Sequence, residues 1–543
     1  MAPTQSITDR IETARFTFRT LNRVGLLDPR LLFSLARSAR NYGSSTVTGL
    51  SAAASVRPDD LAVIDERQPR SFRNLHERTL SIAHGLRDLG VGAGTRIGIL
   101  CRNHAGFIEI VGAAGLLGAD TCFLNTGFAG PQMRDVVERE GIELVVFDEE
   151  FAEVVSAVPD SCSKVLAWHD GEADGPTLDR LADSYPARPL PRPERPGRGT
   201  ILTSGTTGTP KGAQRSSAST DLQGTLGLFE MLPIRVGART LVAAPMFHSW
   251  GLAHLMMGSV LGSTFILQRR FDPESVLAAI DRHKAELLVV VPVMLQRILA
   301  LGPERIARYD TSSLRGTLAS GSALPGELAL RWMDALGDNL YNFYGSTEVA
   351  QASIAGPVDL RAAPGTAGRV PRGVVVKILD EKGREVPRGE TGRIFVANAG
   401  QFEGYTGGGN KEIIDGMMSV GDLGYFDEAG RLFVGGRDDD MIISGGENVF
   451  PREVEDLLSD HEDVHEAAVI GVSDDEFGQR LRAFVVMEPG VAFDEQALKD
   501  YVKSRLARHK VPREVVLVDE LPRNATGKVL KRVLREWAPA PGH

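Results

Sequence analysis

Thr203-Ser204-Gly205-Thr206-Thr207-Gly208-Thr209-Pro210-Lys211-Gly212 is the stretch on which the reading of this chain turns. A short strand-like run, Thr200–Leu202, leads into it, so a loop is predicted at the end of a strand. The glycines allow positive φ and close backbone approach. Successive exposed N–H groups can form a nest for an anion. The Ser and Thr hydroxyls add donors, and Lys211 adds a positive charge. Together these suit a polyphosphate. The loop is not a Walker A motif, which needs Gly before its Lys and Ser or Thr after it; Pro210 and Gly212 stand there instead.

Upstream, strands and helices alternate. Arg96–Cys101, Thr121–Leu124, Glu143–Phe147 and Lys164–Trp168 are predicted strands. Ala105–Leu117 suits a buried helix, and helical patterns run over Phe72–Leu89 and Pro131–Glu140. This order implies a layered α/β domain with a parallel sheet. No Gly-x-Gly-x-x-Gly follows these strands, so a dinucleotide fold lacks its fingerprint. Pro186–Gly199 reads as an extended surface loop. Thr240–Gln268 contains no Asp, Glu, Lys or Arg. Pro245, His248 and His254 interrupt it, so it reads as strand, loop, helix and strand inside a globular domain rather than as a membrane span.

A chain of 543 residues is too long for one core, so more than one domain is expected. Hydrophobic residues make up 42% and charged residues 24%, which excludes a disordered or fibrous chain. A net charge of -10 argues against a nucleic-acid partner. Cys101, Cys122 and Cys162 are isolated, which disfavours a disulfide scaffold or a cysteine zinc site and suits buried thiols in a cytoplasmic protein. The first 43 residues hold seven Arg against two Asp and one Glu, interleaved with Phe16, Phe18, Leu31 and Phe33. The sequence favours an arm docked on the main domain. The other arrangement is an amphipathic arm that touches anionic lipid at the inner membrane face.

Further motifs follow in order. Pro245-Met246-Phe247-His248-Ser249-Trp250-Gly251 ends an apolar strand. In Ala319-Ser320-Gly321-Ser322-Ala323-Leu324-Pro325, small residues let a flat ring lie against the backbone. Tyr341-Asn342-Phe343-Tyr344-Gly345-Ser346-Thr347-Glu348 offers an aromatic face, a hydroxyl and a hard oxygen ligand of the kind Mg²⁺ takes. Gly421-Asp422-Leu423-Gly424, Gly436-Arg437-Asp438-Asp439-Asp440, Ile443-Ser444-Gly445-Gly446-Glu447-Asn448 and Leu521-Pro522-Arg523-Asn524-Ala525-Thr526-Gly527-Lys528 complete the series.

From about residue 50 onward, the loop and these motifs together resemble the adenylate-forming, AMP-binding enzymes: acyl-CoA synthetases, aryl-CoA ligases, luciferases and peptide-synthetase adenylation domains. The likeness is strongest to bacterial fatty-acyl-CoA ligases. The resemblance implies an α/β fold with a large, multi-layered adenylation domain and a small, mobile α+β domain. It implies an arm at 1–50, an AMP-binding domain at 51–438 and a mobile domain at 439–543, hinged at Asp439.

The resemblance also assigns the site. Thr203, Ser204, Gly205, Thr206, Thr207, Gly208 and Lys211 would hold the phosphates of ATP. Gly321, Ser322, Ala323, Asn342, Tyr344 and Gly345 would border adenine, and Thr347 would bond the α-phosphate. Glu348 and Thr203 would hold Mg²⁺. Asp422 would hold the ribose, with Val420 standing where the family usually has Thr, and Arg437 would reach the nucleotide. Ser444, Gly445 and Gly446 would line the passage for coenzyme A. Lys528, Glu348, Thr207 and His248 would be the catalytic set, with His248 at the mouth of the acyl pocket.

The reaction so implied activates a carboxylate to acyl-AMP and then forms acyl-CoA. Met256, Met257, Gly258 and Gly262 offer either an acyl tunnel or core packing. With the family likeness they favour a medium- or long-chain fatty acid. The alternatives are a carrier-protein acceptor, an aryl acid, and a non-catalytic nucleotide- or lipid-binding homologue. The sequence is compatible with a homodimer and leaves the oligomeric state open.

Overall fold

The structure is a computed structural model and describes residues 7–43, 46–203, 211–215, 222–406, 408, 410–444, 447–474, 478–524 and 527–537. Two sheets dominate it. The larger orders its strands 353–355, 340–344, 316–319, 287–290, 239–242, 264–267, 61–64 and 70–71. The second orders 404–405, 211–215, 199–203, 120–123, 96–100, 144–148 and 163–168. The inner strands of both run parallel, with antiparallel pairs at the edges.

Parallel strands need crossover helices, and buried sheets need both faces covered. Helix Ala105–Leu117 is apolar but for Glu109 and buries twelve of its 13 residues, Glu109 being paired with Arg70 and Arg78. With helix Phe72–Asp88 it shares one core with strands of both sheets. The expected strands Arg96–Cys101 and Lys164–Trp168 form as Arg96–Leu100 and Ser163–Trp168. Thr240–Gln268 forms strand Arg239–Val242, helix Ser249–Val260 and strand Thr264–Leu267. No helix among the described residues is long and apolar enough to cross a membrane.

A third, antiparallel sheet joins Val375–Leu379, Gly392–Ala397, Met417–Phe426 and Leu432–Arg437. Past it, a small α+β unit pairs Val464–Asp474 with Gly478–Met487 and adds Glu514–Leu517 in parallel. Helix Pro451–Ser459 buries Val454 and Leu458 against this sheet, and Leu457 is half-buried beside them. A large multi-layered α/β domain followed by a small α+β domain is the fold class the sequence implied.

The N-terminal arm is helical, Ile7–Val24 and Pro29–Tyr42, and it is docked. Phe16, Val24, Leu26 and Leu31 are buried with Leu226, Phe229 and Leu232. The Arg23 guanidinium donates to the Phe229 carbonyl. Phe18 and Phe33 point outward, 64% and 72% exposed. All three cysteines are buried and free.

Candidate active site

The chemistry-bearing segments gather at the carboxyl ends of the parallel strands, where open α/β sheets bind ligands. Thr203 and Lys211 are directly paired across antiparallel strands Gly199–Thr203 and Lys211–Arg215, so the hairpin clamps both ends of the glycine-rich loop. Ser204, Gly205, Thr206, Thr207 and Gly208 lie outside the described residues; Thr203 and Lys211 are placed by their backbone. Strand Gly404–Tyr405 pairs with the same hairpin. From it the Tyr405 hydroxyl donates to Glu348 Oε1 at 2.6 Å, and the Phe402 N–H donates to the Glu348 carbonyl at 2.8 Å. Glu348 is thereby fixed beside the base of the loop.

The Tyr344 hydroxyl donates to Asp422 Oδ2 at 2.6 Å, and Arg437 Nε lies 3.7 Å from Oδ1. Asp422 and Arg437 are register partners on neighbouring strands. Burial raises the Asp422 carboxyl, against the lowering by the Tyr344 bond and by the charges of Arg437, Lys528 and Lys411. Val420 is buried in the core of this sheet. Ser320 Oγ donates to the Phe343 carbonyl at 2.8 Å, tying the small-residue turn to this strand. Gly321 and Ala323 are exposed at that turn, with Ser322 half-buried between them. Gly345 and Thr347 are half-buried beside Tyr344. Asn342 is buried, and its amide donates to the Thr366 carbonyl at 3.1 Å.

Lys528 comes from the small domain. Its N–H donates to Asn524 Oδ1 at 2.9 Å, and Asn524 N–H donates back to its carbonyl at 2.9 Å. Gly527, at φ +79°, seats this turn on the large domain: a Cβ there would come within 2.5 Å of Val293 Cγ1. Gln296 Nε2 adds a bond across the same interface, to the His465 carbonyl at 3.0 Å. Lys528 is exposed, and its charge reaches Asp422. Asp439 sits in the short turn Asp438–Asp440 between the domains, with Asp438 near Arg393 at 3.5 Å and Asp440 paired to Arg535 at 2.9 Å. Ser444 ends strand Ile442–Ser444; Gly445 and Gly446 lie outside the described residues.

The segment around His248, where the resemblance implies the acyl pocket, is apolar. His248 precedes helix Ser249–Val260; its Nε2 is buried without a partner, and burial pushes the ring down to about 4, so it is neutral at pH 7. Asn103 positions this segment: Nδ2 donates to the carbonyls of Val242 at 3.0 Å and Ala244 at 2.9 Å, and Oδ1 accepts from Met246 N–H at 2.8 Å. The Trp250 indole donates to the Val290 carbonyl at 3.0 Å, and its ring lies 4.9 Å from Phe343. Of the two readings of the Met/Gly segment, the two glycines favour packing. Met256 is exposed, and Gly258 and Gly262 make room for the Phe265 ring and the Arg57 guanidinium.

Residues 50–406 match the AMP-binding enzymes, and residues 453–528 match the AMP-binding enzyme C-terminal domain. The chain belongs to the AMP-binding enzyme family. A feruloyl-CoA synthase from an Amycolatopsis species is 34% identical over 491 residues, 89% of this chain and 96% of the relative. A fatty acid–[acyl-carrier-protein] ligase, ScoC, from Streptomyces coeruleorubidus is 30% identical over 502 residues, 89% and 94% of the two chains. Among solved structures, the o-succinylbenzoate CoA synthetase of Bacillus subtilis in complex with its acyl-adenylate intermediate superposes with a TM-score of 0.79 and 29% identity, over 90% of this chain and 98% of that one. This AMP-binding enzyme is by class an AMP-forming acid–thiol ligase, for which ATP and CoA are the fitting substrates.

The Glu348 carboxylate, held through one oxygen by Tyr405, suits Mg²⁺, which takes few carboxylates and completes its shell with water and phosphate oxygens. Another metal-capable trio among the described residues, Cys101, His104 and Asp148, is closed on itself. His104 Nε2 bonds Asp148 at 2.8 Å, Nδ1 accepts from Gly106 N–H, and Asp148 also accepts from Arg102 N–H. Asn103 and Tyr405 gave no sequence signal, because both act on partners far along the chain of this AMP-binding enzyme.

Proposed function

We propose that the enzyme joins a carboxylic acid to CoA in two steps at one site. The acid's carboxylate oxygen attacks the α-phosphorus of ATP; the bond to the bridging oxygen breaks and pyrophosphate leaves. The CoA sulfur then attacks the acyl carbonyl, loses its proton and expels AMP. The observation that carries this reading is the Lys528 turn, seated on Val293 so that its charge reaches Asp422, where Tyr344 and Arg437 also converge.

In this reading Asp422 accepts from the ribose hydroxyls, Tyr344 and the 321–323 turn border adenine, and Thr347 bonds the α-phosphate. The loop from Thr203 to Lys211, with Thr207 within it, holds the phosphates. Lys528 offsets the charge that builds between carboxylate and phosphate. Glu348 and Thr203 would hold Mg²⁺, which would supply charge neutralisation to the phosphates. Neutral His248 stands at the acid's carboxylate without repelling or trapping it as an ion pair.

The small domain, 439–543, then turns about Asp439, withdraws Lys528 and brings Ser444–Gly446 to the thiol path. Asp439→Pro is expected to keep adenylation and lose thioester formation; unimpaired overall turnover would remove Asp439 from the hinge.

For the acid, a medium- or long-chain fatty acid is the first reading. A planar aryl acid is the second, supported by the wall of Trp250 and Phe343 and by the packing role of Gly258 and Gly262. AMP release with and without CoA, from acetate to oleate with benzoate and cinnamate included, tests both. Release that needs a carrier protein instead of CoA would assign the other acceptor. The outer face of the arm, with Phe18 and Phe33 exposed among arginines, supports a peripheral contact with anionic lipid. Sedimentation with anionic vesicles checks it, and loss of binding in Phe18→Ser/Phe33→Ser is the expected result.

A further inference from the structure

On the acyl side, one buried polar atom has no partner that the reaction explains. His254 sits one turn after Trp250 on helix Ser249–Val260 and is 3% exposed. Its Nδ1 lies 3.0 Å from the Trp250 carbonyl. A carbonyl oxygen can only accept, so Nδ1 must carry a proton. Desolvation pushes the ring down to about 4, so it holds one proton only and is neutral at pH 7. Nε2 is therefore a bare acceptor, and it is buried without a donor.

Nearby donors do not satisfy it. The Trp250 indole packs edge-on at 4.3 Å, but its N–H is committed to the Val290 carbonyl. Because Nδ1 is turned back on the helix's own backbone, Nε2 faces away from it. It does so on the face that carries Trp250 four residues before and Met257 three residues after. Trp250 and Met257 pack in one cluster with Tyr341 and Phe343, on the strand that leads to Tyr344. A lone acceptor in such a wall is the mark of a site completed by something else, since buried polar groups are otherwise paired.

We infer that His254 is a specificity-determining residue: its Nε2 accepts a hydrogen bond from a hydroxyl or N–H on the acid, at the end remote from the carboxylate. This rests on the ligase reading above. His254 lies six positions after His248, which caps the helix, so the two residues stand about 9 Å apart along the helix axis. An acid whose donor lies about that far from its carboxylate matches this axial separation. A hydroxylated phenylpropenoic acid has that reach, and a hydroxybenzoic acid falls short of it.

Matched acids test this directly. CoA-dependent AMP release is measured for cinnamate, 4-hydroxycinnamate and 4-methylcinnamate, for benzoate and 4-hydroxybenzoate, and for decanoate and 10-hydroxydecanoate. In the unaltered enzyme the donor-bearing member of at least one pair is expected to have a kcat/KM at least about tenfold above its partner, with the methyl compound on the low side. In His254→Leu that ratio is expected to fall to within about twofold. In His254→Gln, which keeps an acceptor, part of it returns. The preference in the unaltered enzyme needs no variant and stands if His254→Leu fails to fold.

Absence of any donor preference across the pairs overturns the inference, as does a preference that survives in a folded His254→Leu. AMP release from no acid at all overturns the ligase reading itself, and the inference falls with it.

Discussion

Around Asp422 the protein supplies its own partners. Tyr344 donates to the carboxylate at 2.6 Å, and Arg437 stands 3.7 Å away. Around Trp250 it does not: the Nε2 atoms of His248 and His254 are both buried and unpaired. The proposed nucleotide side is thus preorganised by charge and hydrogen bonds, whereas the proposed acyl side holds two buried, unpaired ring nitrogens.

The hardest way to break the nucleotide side is to remove the charge brought by the small domain. Lys528→Ala is expected to slow acyl-AMP formation by about a hundredfold or more. Thioester formation from supplied acyl-AMP should change by less than about tenfold. Pyrophosphate exchange and thioester assays read the two halves separately, and equal loss in both would contradict the division of labour. Next comes Asp422→Asn, which keeps the shape but removes a charged acceptor. A rise of about tenfold or more in the KM for ATP is expected, in line with a charge-assisted bond of roughly 1.5–3 kcal/mol. The KM for the acid should hardly move, which is what separates the two sides.

Asn103→Ala attacks the acyl side through its support. It leaves two carbonyls and one N–H short of a partner, at a cost of about 2 kcal/mol or more. A lowered melting temperature and a raised KM for the acid, with the KM for ATP nearly constant, are the expected results.

The smallest effect concerns the domain contact. Asp460, at the end of helix Pro451–Ser459, shares a hydrogen bond with Glu327 of the large domain. Burial first, then Glu327 and Asp456, push the Asp460 carboxyl up to about 7. Its pKa is raised on docking, so the contribution of this contact is full at low pH and is lost as pH rises from about 4 through about 7. Glu327→Gln relieves the clash. Its pyrophosphate exchange should exceed that of the unaltered enzyme by about twofold at pH 8, and the gap should close toward pH 5 in a pH profile.

The same contrast governs how much the sequence told. The nucleotide side lies in contiguous strings such as Tyr344–Glu348 and Gly421–Gly424, because each binds through its own backbone and a few neighbouring side chains. The fold class and most strands were equally legible from apolar runs bounded by turn residues. The acyl side was not. Asn103 acts on residues 139 to 143 positions away. Gly258 and Gly262 looked like room for an acyl chain, because a glycine does not say whether its space goes to a ligand or to Phe265 and Arg57. Asn342 sits inside the Tyr341–Glu348 motif, and its bond to the Thr366 carbonyl, 24 positions on, left no mark in that string. The arm's apolar pattern gave a buried face without saying that helix Leu222–Met231 would meet it.

The central claim is that activation and transfer are separate reactions on one preorganised nucleotide site. Exchange of labelled pyrophosphate into ATP, measured in the absence of CoA with an accepted acid, tests it most directly. The account predicts exchange that depends on the acid and proceeds without CoA. Exchange that appears only when CoA is added would contradict it.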